Sequence, residues 1–146
     1  MLISQLIWIV GGWVVIHSLG GWFYQLKMPP FCLSDKYFPV IWVSLFSLLG
    51  IALSLIWMEK PGEATVNAVV WYFFQLTFHL FWVAEFFVMR VPALALWVAL
   101  VYWLLAFMTW RQFRRINQVA GWLLVPYLLW ISYMVYLNWG IYWLNR

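Results

Sequence analysis

The sequence predicts an all-helical integral membrane protein, a bundle of five transmembrane helices, and three observations support this fold class. Hydrophobic residues make up 68% of the 146-residue chain and charged residues only 8%, whereas a soluble domain is about a quarter charged. The apolar residues fall into five runs, each near the ~20 residues that cross a bilayer as a helix. Alternating ten-residue strands are absent, which excludes a membrane β-barrel.

The five predicted spans form a single domain, residues 1–146, because the connections between them are short. The spans cover residues 2–24, 39–58, 66–88, 93–112 and 118–143. Pro39 and Pro92 lie in first turns, where a missing N–H costs nothing, whereas Pro126 lies inside the fifth span and predicts a kink. The longest connection, residues 27–38, predicts a lid over one mouth of the bundle, formed by Pro29, Phe31 and Phe38.

The charged residues exclude several classes of function. All of them except Glu85 lie between the apolar runs or at their ends, and the net charge of +4 is spread too thinly for a nucleic-acid partner. Contact with anionic membrane lipid explains the charge better. His17 and His79 have no second histidine at i+3 or i+4, so neither a metal site nor an acid–base catalytic site is expected. Lys and Arg divide evenly between the two predicted faces, which leaves the membrane orientation open.

Aromatic residues are unusually abundant, with 14 Trp, 8 Tyr and 12 Phe. Rings near span ends are typical of the membrane interface. Three spans also carry stripes at i, i+4 and i+7: Trp42, Phe46, Leu49; Gln75, His79, Trp82; and Ser132, Tyr136, Trp139. Polar groups at membrane depth face the bundle interior. The stripes therefore predict a central pocket for a flat, apolar ligand or, alternatively, hydrogen bonds between helices without any ligand.

Small residues on the fourth span predict a close approach of another helix. Ala95 and Ala99 are four residues apart, and Ala106 follows one heptad later. The spacing alone leaves open whether the partner helix lies in the same chain or in a second subunit.

Several segments in order along the chain resemble one family. The segment LLVPYLLWISYMVYLNWGIYWLN resembles the fifth helix of the tryptophan-rich sensory protein and translocator protein (TspO/MBR, peripheral-type benzodiazepine receptor) family. WFYQLKMP, FPVIWVSLFSLLGIAL and QLTFHLFWVAEFF are similar to its earlier segments. The resemblance covers nearly the whole chain.

The resemblance implies a five-helix, commonly dimeric protein of a bacterial cell membrane or an organelle membrane. It would bind a tetrapyrrole, protoporphyrin IX or haem, in porphyrin sensing, transport or degradation, and it would require no cofactor. Two alternatives remain open: an enzyme that oxidises protoporphyrin in light through Trp139 and Trp42, and a ligand-free membrane scaffold that contacts other proteins. The implied and predicted ligand-binding residues are Trp42, Phe46, Leu49, His79, Trp82, Phe86, Tyr127, Trp130, Met134, Leu137, Asn138 and Trp139.

Three features depart from the family pattern or lie outside it. His79 stands where the family usually has Asn, and it would either replace the hydrogen bonds of that Asn or ligate a haem iron. Met134 stands where the family has Ala and narrows the expected pocket. Arg111, Arg114 and Arg115 cluster at the end of the fourth span, where they would bind lipid phosphate or dock porphyrin propionates.

Overall fold

A computed structural model describes residues 2–18 and 21–146, and within these residues the regular structure is helical. The described residues form six α-helices, and the longest connection lies between the second and the third. Their bounds are α1 Leu2–Ser18, α2 Gly21–Gln25, α3 Phe38–Trp57, α4 Glu63–Val83, α5 Pro92–Ile116 and α6 Gln118–Leu144. A 3₁₀ turn, Asp35–Tyr37, precedes α3, and a π-helical segment, Ala84–Val88, continues α4.

Within the part of the chain that the structure describes, four helices are long and apolar enough to cross a membrane, and they match the last four predicted spans. They cover residues 38–57, 63–88, 92–116 and 118–144. The first predicted span, 2–24, corresponds to the 17-residue α1 and the short α2, and residues 19 and 20 between them lie outside the described residues. The all-helical membrane fold is therefore confirmed, but the count of five spanning helices is not.

Local sequence signals explain where the long helices begin. Pro39 and Pro92 occupy first-turn positions of α3 and α5, as predicted. Asn117 closes α5, since its backbone N–H donates to the Phe113 carbonyl at 2.8 Å. Its side-chain oxygen then accepts from the Ala120 N–H at 3.0 Å and caps α6. α6 continues through Pro126 in its interior.

The end of α4 widens into a π-helical turn. The Met89 N–H donates to the Ala84 carbonyl at 2.9 Å, an i to i−5 bond that closes the segment. Arg90 then adopts a left-handed backbone with φ of 59° and ends the run. The wider turn sets the direction of Phe86 and Phe87, which are both buried.

The long helices pack in a closed ring, in which α1 contacts α3 and α4, α3 contacts α6, and α5 lies between α6 and α4. Side-chain hydrogen bonds join neighbours around the ring. Gln5 Nε2 donates to Ser47 Oγ at 2.7 Å between α1 and α3, and the hydroxyls of Tyr102 and Tyr127 bond between α5 and α6. Hydrocarbon offers polar groups no other partner, so these bonds favour the ring arrangement.

The small residues of α5 allow close packing against other helices of the same chain. Ala95, Ala99 and Ala106 are all buried in the single chain, and α5 packs closely on α4 and α6. The alternative that the partner helix lies in the same chain is therefore correct. The expected homodimer remains a prediction that this stripe does not support.

Candidate functional site

A cavity of about 410 Å³ lies inside the ring, between α1, α3, the end of α4, α6 and the loop that precedes α3. This volume falls within the ~300–1,000 Å³ range of small-molecule sites. The described residues that line it are almost entirely apolar. They are Gly11, Gly12, Val15, Ile16, Phe23, Tyr24, Met28, Cys32, Leu33, Phe38, Pro39, Trp42, His79, Trp82, Val83, Phe86, Phe87, Met134, Leu137, Asn138 and Ile141.

Aromatic rings form much of the cavity wall. Trp82 and Phe86 are nearly parallel, with their centroids 6.0 Å apart and an interplanar angle of 22°. The centroid of the Trp42 ring lies 4.9 Å from that of His79, and the Trp82 ring lies 6.1 Å from the same imidazole. Ring contacts at these distances hold the rings in fixed orientations. The wall therefore offers flat apolar surfaces to a ligand.

The buried polar groups of Asn138 and Trp82 form a hydrogen bond with each other in the cavity wall. The Trp82 indole N–H donates to Asn138 Oδ1 at 3.1 Å, and Asn138 Nδ2 donates to the Met134 carbonyl of its own helix at 2.7 Å. Asn138 is 2% exposed, so loss of this partner would leave a buried indole N–H unpaired. A hydrogen bond between helices is thus present for this pair, and it ties α4 to α6.

His79 differs, because it lines the cavity with hydrogen-bonding capacity that is not used. Its ring is 4% exposed and packs against Phe46 at 5.2 Å and Tyr102 at 5.6 Å. Nδ1 has no hydrogen-bond partner among the described residues. Nε2 would lie 3.6 Å from a Cβ placed on Gly11. At that distance an added methyl group would make only ordinary van der Waals contact, so Gly11 leaves room beside Nε2.

The loop before α3 is held onto α6 by three side chains. Tyr133 accepts from the Leu33 N–H at 2.9 Å and donates to the Phe31 carbonyl at 3.0 Å. Tyr136 donates to the Pro30 carbonyl at 2.8 Å. Asn145 accepts from the Lys27 N–H and donates to the Lys27 carbonyl, at 2.9 and 3.0 Å. These bonds fix the loop backbone over the cavity.

The three residues predicted to form the lid occupy different environments. Pro29 is buried against Gly140 of α6. Phe38 is half-buried, lines the cavity and packs on Trp130 at 5.4 Å. Phe31 is 89% exposed, and its left-handed φ of 62° turns the ring outward. Met28, Cys32 and Leu33, which the sequence did not single out, are the other loop residues that line the cavity.

The predicted ligand-binding residues separate into three sets in the structure. Trp42, His79, Trp82, Phe86, Met134, Leu137 and Asn138 line the cavity. Phe46, Leu49, Tyr127 and Trp130 are buried in the core behind its wall. Trp139, expected to contact the ligand, lies instead on the outer face of α6, 53% exposed and 6.4 Å from the Trp143 ring.

The side chains of the predicted stripe Ser132, Tyr136 and Trp139 point in different directions, and none of them lines the cavity. Ser132 accepts from the Trp103 indole N–H at 2.8 Å on α5, and Tyr136 bonds the loop. Trp139 follows Asn138 by one residue, which turns its side chain by about 100° around an α-helix. The inward face of α6 is therefore set by Met134, Leu137, Asn138 and Ile141.

Sequence reasoning missed the contribution of α1, of α2 and of Phe87 in the π-helical segment, although it included the neighbouring Phe86. Gly11, Gly12, Val15 and Ile16 line one side of the cavity, and Phe23 and Phe87 close another. The adjacent glycines of α1 were a visible signal for close approach of another group. No signal in the sequence indicated the π-helical turn that positions Phe87.

Comparison with known proteins places the chain among membrane proteins of one group. The model of the TspO/MBR family matches residues 1–144. The chain is 37% identical over 129 residues to a tryptophan-rich protein TspO from Chlorobaculum tepidum, covering 85% of this chain and 80% of the relative. It is 34% identical to a tryptophan-rich sensory protein from Cereibacter sphaeroides, covering 80% and 72%. A translocator protein from Ovis aries is 31% identical, covering 83% and 73%.

The contact between Pro29 and Gly140 predicts that a single methyl group displaces the loop. A Cβ on Gly140 would stand 2.5 Å from Pro29 Cβ and 2.8 Å from its Cγ, so Gly140→Ala cannot be accommodated without movement. Trypsin cleavage after Lys27 and Lys36, which flank the loop, should become several-fold faster in detergent-solubilised protein, because local opening controls cleavage.

Gly62→Ala is the matched control, since nothing lies within 4 Å of the added methyl group. Cleavage of Gly140→Ala at the parent rate would show that Pro29 is not held by this contact.

Proposed function

The chain belongs to the TspO/MBR family of multi-pass integral membrane proteins, and from this membership we propose that it binds a tetrapyrrole such as protoporphyrin IX. The observation that carries the proposal is the central cavity, which combines flat aromatic walls with few polar atoms. A largely apolar macrocycle would be bound by burial and ring stacking. Porphyrin sensing, transport or degradation would all require such a site.

His79 supplies the polar contact in this proposal. The polar atoms of Trp82 and Asn138 are already bonded to each other, so His79 is the cavity-lining imidazole with capacity left for a ligand. A neutral imidazole carries one donor and one acceptor. It would orient a ring nitrogen or a polar substituent of the macrocycle without requiring an iron ion.

Met134 would restrict which macrocycles fit. Its side chain lines the cavity at the position where the resemblance leads one to expect alanine. The extra volume favours a flat ligand over a bulkier one.

The proposal also includes a fifth membrane crossing formed by α1 and the residues that follow it. α1 closes the ring between α3 and α4, and its side chains Ser4 and Gln5 bond Tyr72 and Ser47 inside the bundle. A helix lying outside the hydrocarbon would not need these internal partners.

A second candidate function is light-dependent oxidation of bound protoporphyrin, with dissolved oxygen as the oxidant. The favouring observation is that Trp42 lines the cavity, where its indole would lie against an excited macrocycle. Trp139, the other tryptophan expected to take part, lies on the outer face of α6. For this second candidate function we therefore assign the redox role to Trp42.

Five crossings predict that the two chain termini lie on opposite sides of the membrane, because the number is odd. Reporter domains fused to Met1 in one protein and to Arg146 in another, active only on one side of the membrane, should give opposite readings. The same reading for both fusions would mean an even number of crossings and would overturn the assignment of α1.

A bulky side chain in the cavity should weaken porphyrin binding. Leu137 lines the cavity, so Leu137→Trp fills it, and we expect affinity for protoporphyrin IX to fall about tenfold or more, or about 1.4 kcal/mol. Quenching of tryptophan fluorescence on titration with the pigment measures the affinity, since Trp42 and Trp82 line the same cavity.

Leu129→Trp makes the same substitution on the outer face of α6, where the side chain is 68% exposed, and should bind like the parent. Equal affinity of the two variants would place binding outside the cavity. Absence of saturable quenching in the parent would favour the membrane scaffold.

If the protein oxidises its ligand, Trp42→Phe should slow the light-dependent loss of the Soret band severalfold, because the oxidisable indole is removed while the aromatic ring is kept. Trp139→Phe on the outer face should have little effect. Pigment loss at the parent rate in both variants would assign the loss to ordinary photobleaching.

A further inference from the structure

The last two turns of α5 carry three arginines, beside the α5–α6 turn and at the end of the bundle opposite the loop that covers the cavity. Arg111, Arg114 and Arg115 are all exposed, and within the described residues none of them forms an ion pair. The α3–α4 turn lies at the same end, because Asn117 Nδ2 donates to Glu59 Oε1 at 2.8 Å. The carboxylate of Glu59 is thus directed to Asn117, and the guanidinium charges remain available.

Of these three arginines, Arg114 is the one that lies over aromatic rings. Its guanidinium lies over the Trp110 ring at 5.4 Å and over the Trp122 ring at 5.8 Å. Stacking uses the flat face of a guanidinium and leaves the N–H groups at its edge free for an oxyanion. The two rings therefore hold Arg114 in an orientation suited to bind a phosphate.

Gly121 fixes the position of the Arg114 backbone. A Cβ on Gly121 would stand 2.6 Å from Arg114 Cβ and 2.7 Å from its Cα. The backbone of α6 therefore packs directly on the stem of Arg114. Because the stem and the guanidinium are both held, little side-chain freedom remains to be lost on binding.

The surroundings of this site indicate which anion it binds. Val119, Trp122 and Leu129 are each more than 60% exposed and occupy one face of α6, at spacings of three and seven residues. In a membrane this apolar face is covered by acyl chains. A phosphate at Arg114 would therefore belong to the lipid whose chains lie on that face.

The distance from the cavity excludes the other ligand considered for these arginines. Gly121, which contacts Arg114, precedes the cavity-lining Met134 by 13 residues, or about 20 Å along an α-helix. The propionates of a tetrapyrrole in the cavity would not reach Arg114.

From these observations we propose that Arg114, assisted by Arg111 and Arg115, forms a binding site for the headgroup phosphate of an anionic phospholipid at the α5–α6 turn. The net negative charge of such a lipid complements the arginines, whereas the positive choline of a zwitterionic lipid opposes them. The site is independent of the ligand in the cavity.

Native mass spectrometry of the full chain in neutral detergent tests the site with phosphatidylglycerol and phosphatidylcholine as probes. The parent should retain phosphatidylglycerol in preference to phosphatidylcholine. Arg114→Gln should weaken phosphatidylglycerol binding about fivefold. The affinity of Arg114→Lys for phosphatidylglycerol should lie between those of the parent and Arg114→Gln, because lysine keeps the charge but lacks the planar guanidinium that stacks on the rings.

Arg146→Gln is the matched control, since Arg146 also lies over two rings, Tyr142 at 5.6 Å and Trp143 at 4.6 Å, at the other end of α6. It should bind phosphatidylglycerol like the parent. Unchanged thermal unfolding of each variant shows that it is folded. Parent-like affinity of Arg114→Gln would overturn the proposal, and displacement of the lipid by equimolar inorganic phosphate would instead indicate a site for a soluble anion.

Discussion

The hydrogen bond between Trp82 and Asn138 is the interaction on which the site most depends. Hydrocarbon provides no partner for an indole N–H or an amide, so the two groups must meet inside the bundle. Their bond joins α4 to α6 beside the cavity, and the Asn138 amide is held in turn by the Met134 carbonyl. The polar atoms of Trp82 and Asn138 are thus satisfied within the cavity wall, whereas His79 Nδ1 has no hydrogen-bond partner among the described residues.

The aromatic residues serve three distinct purposes, which explains why they are so numerous. Trp42 and Trp82 form the cavity wall, whereas Tyr72 and Phe113 stack at 5.9 Å and 10° in the core at the other end. Trp57 and Trp97 are exposed on the outer surface, 70% and 68%, where lipid surrounds them. Abundance alone therefore does not identify a binding residue, and the direction of each ring decides its role.

Much of the fold could be predicted from the sequence, because hydropathy and proline position depend on local composition. The last four spans agree with the structure to within a few residues, and Pro39 and Pro92 lie at the predicted helix starts. The site was harder to predict, because a difference of one residue turns a helical side chain by about 100°. Trp139 lies outward for this reason, although the neighbouring Asn138 lies inward. The path of the loop depends on the left-handed backbone of Phe31 and on hydrogen bonds from Tyr133 and Tyr136, over a hundred residues away in sequence.

α6 carries a glycine near each end, and each is pressed against another segment: Gly121 against Arg114, and Gly140 against Pro29. These points are 19 residues apart, or about 28 Å along an α-helix, close to the ~30 Å thickness of the hydrocarbon layer. The length of α6 thus sets the distance between the arginine cluster at one membrane surface and the loop at the other. α6 cannot change its length in a thinner or thicker bilayer. The molecule would therefore have to tilt, or the surrounding lipid would have to deform, to relieve the hydrophobic mismatch.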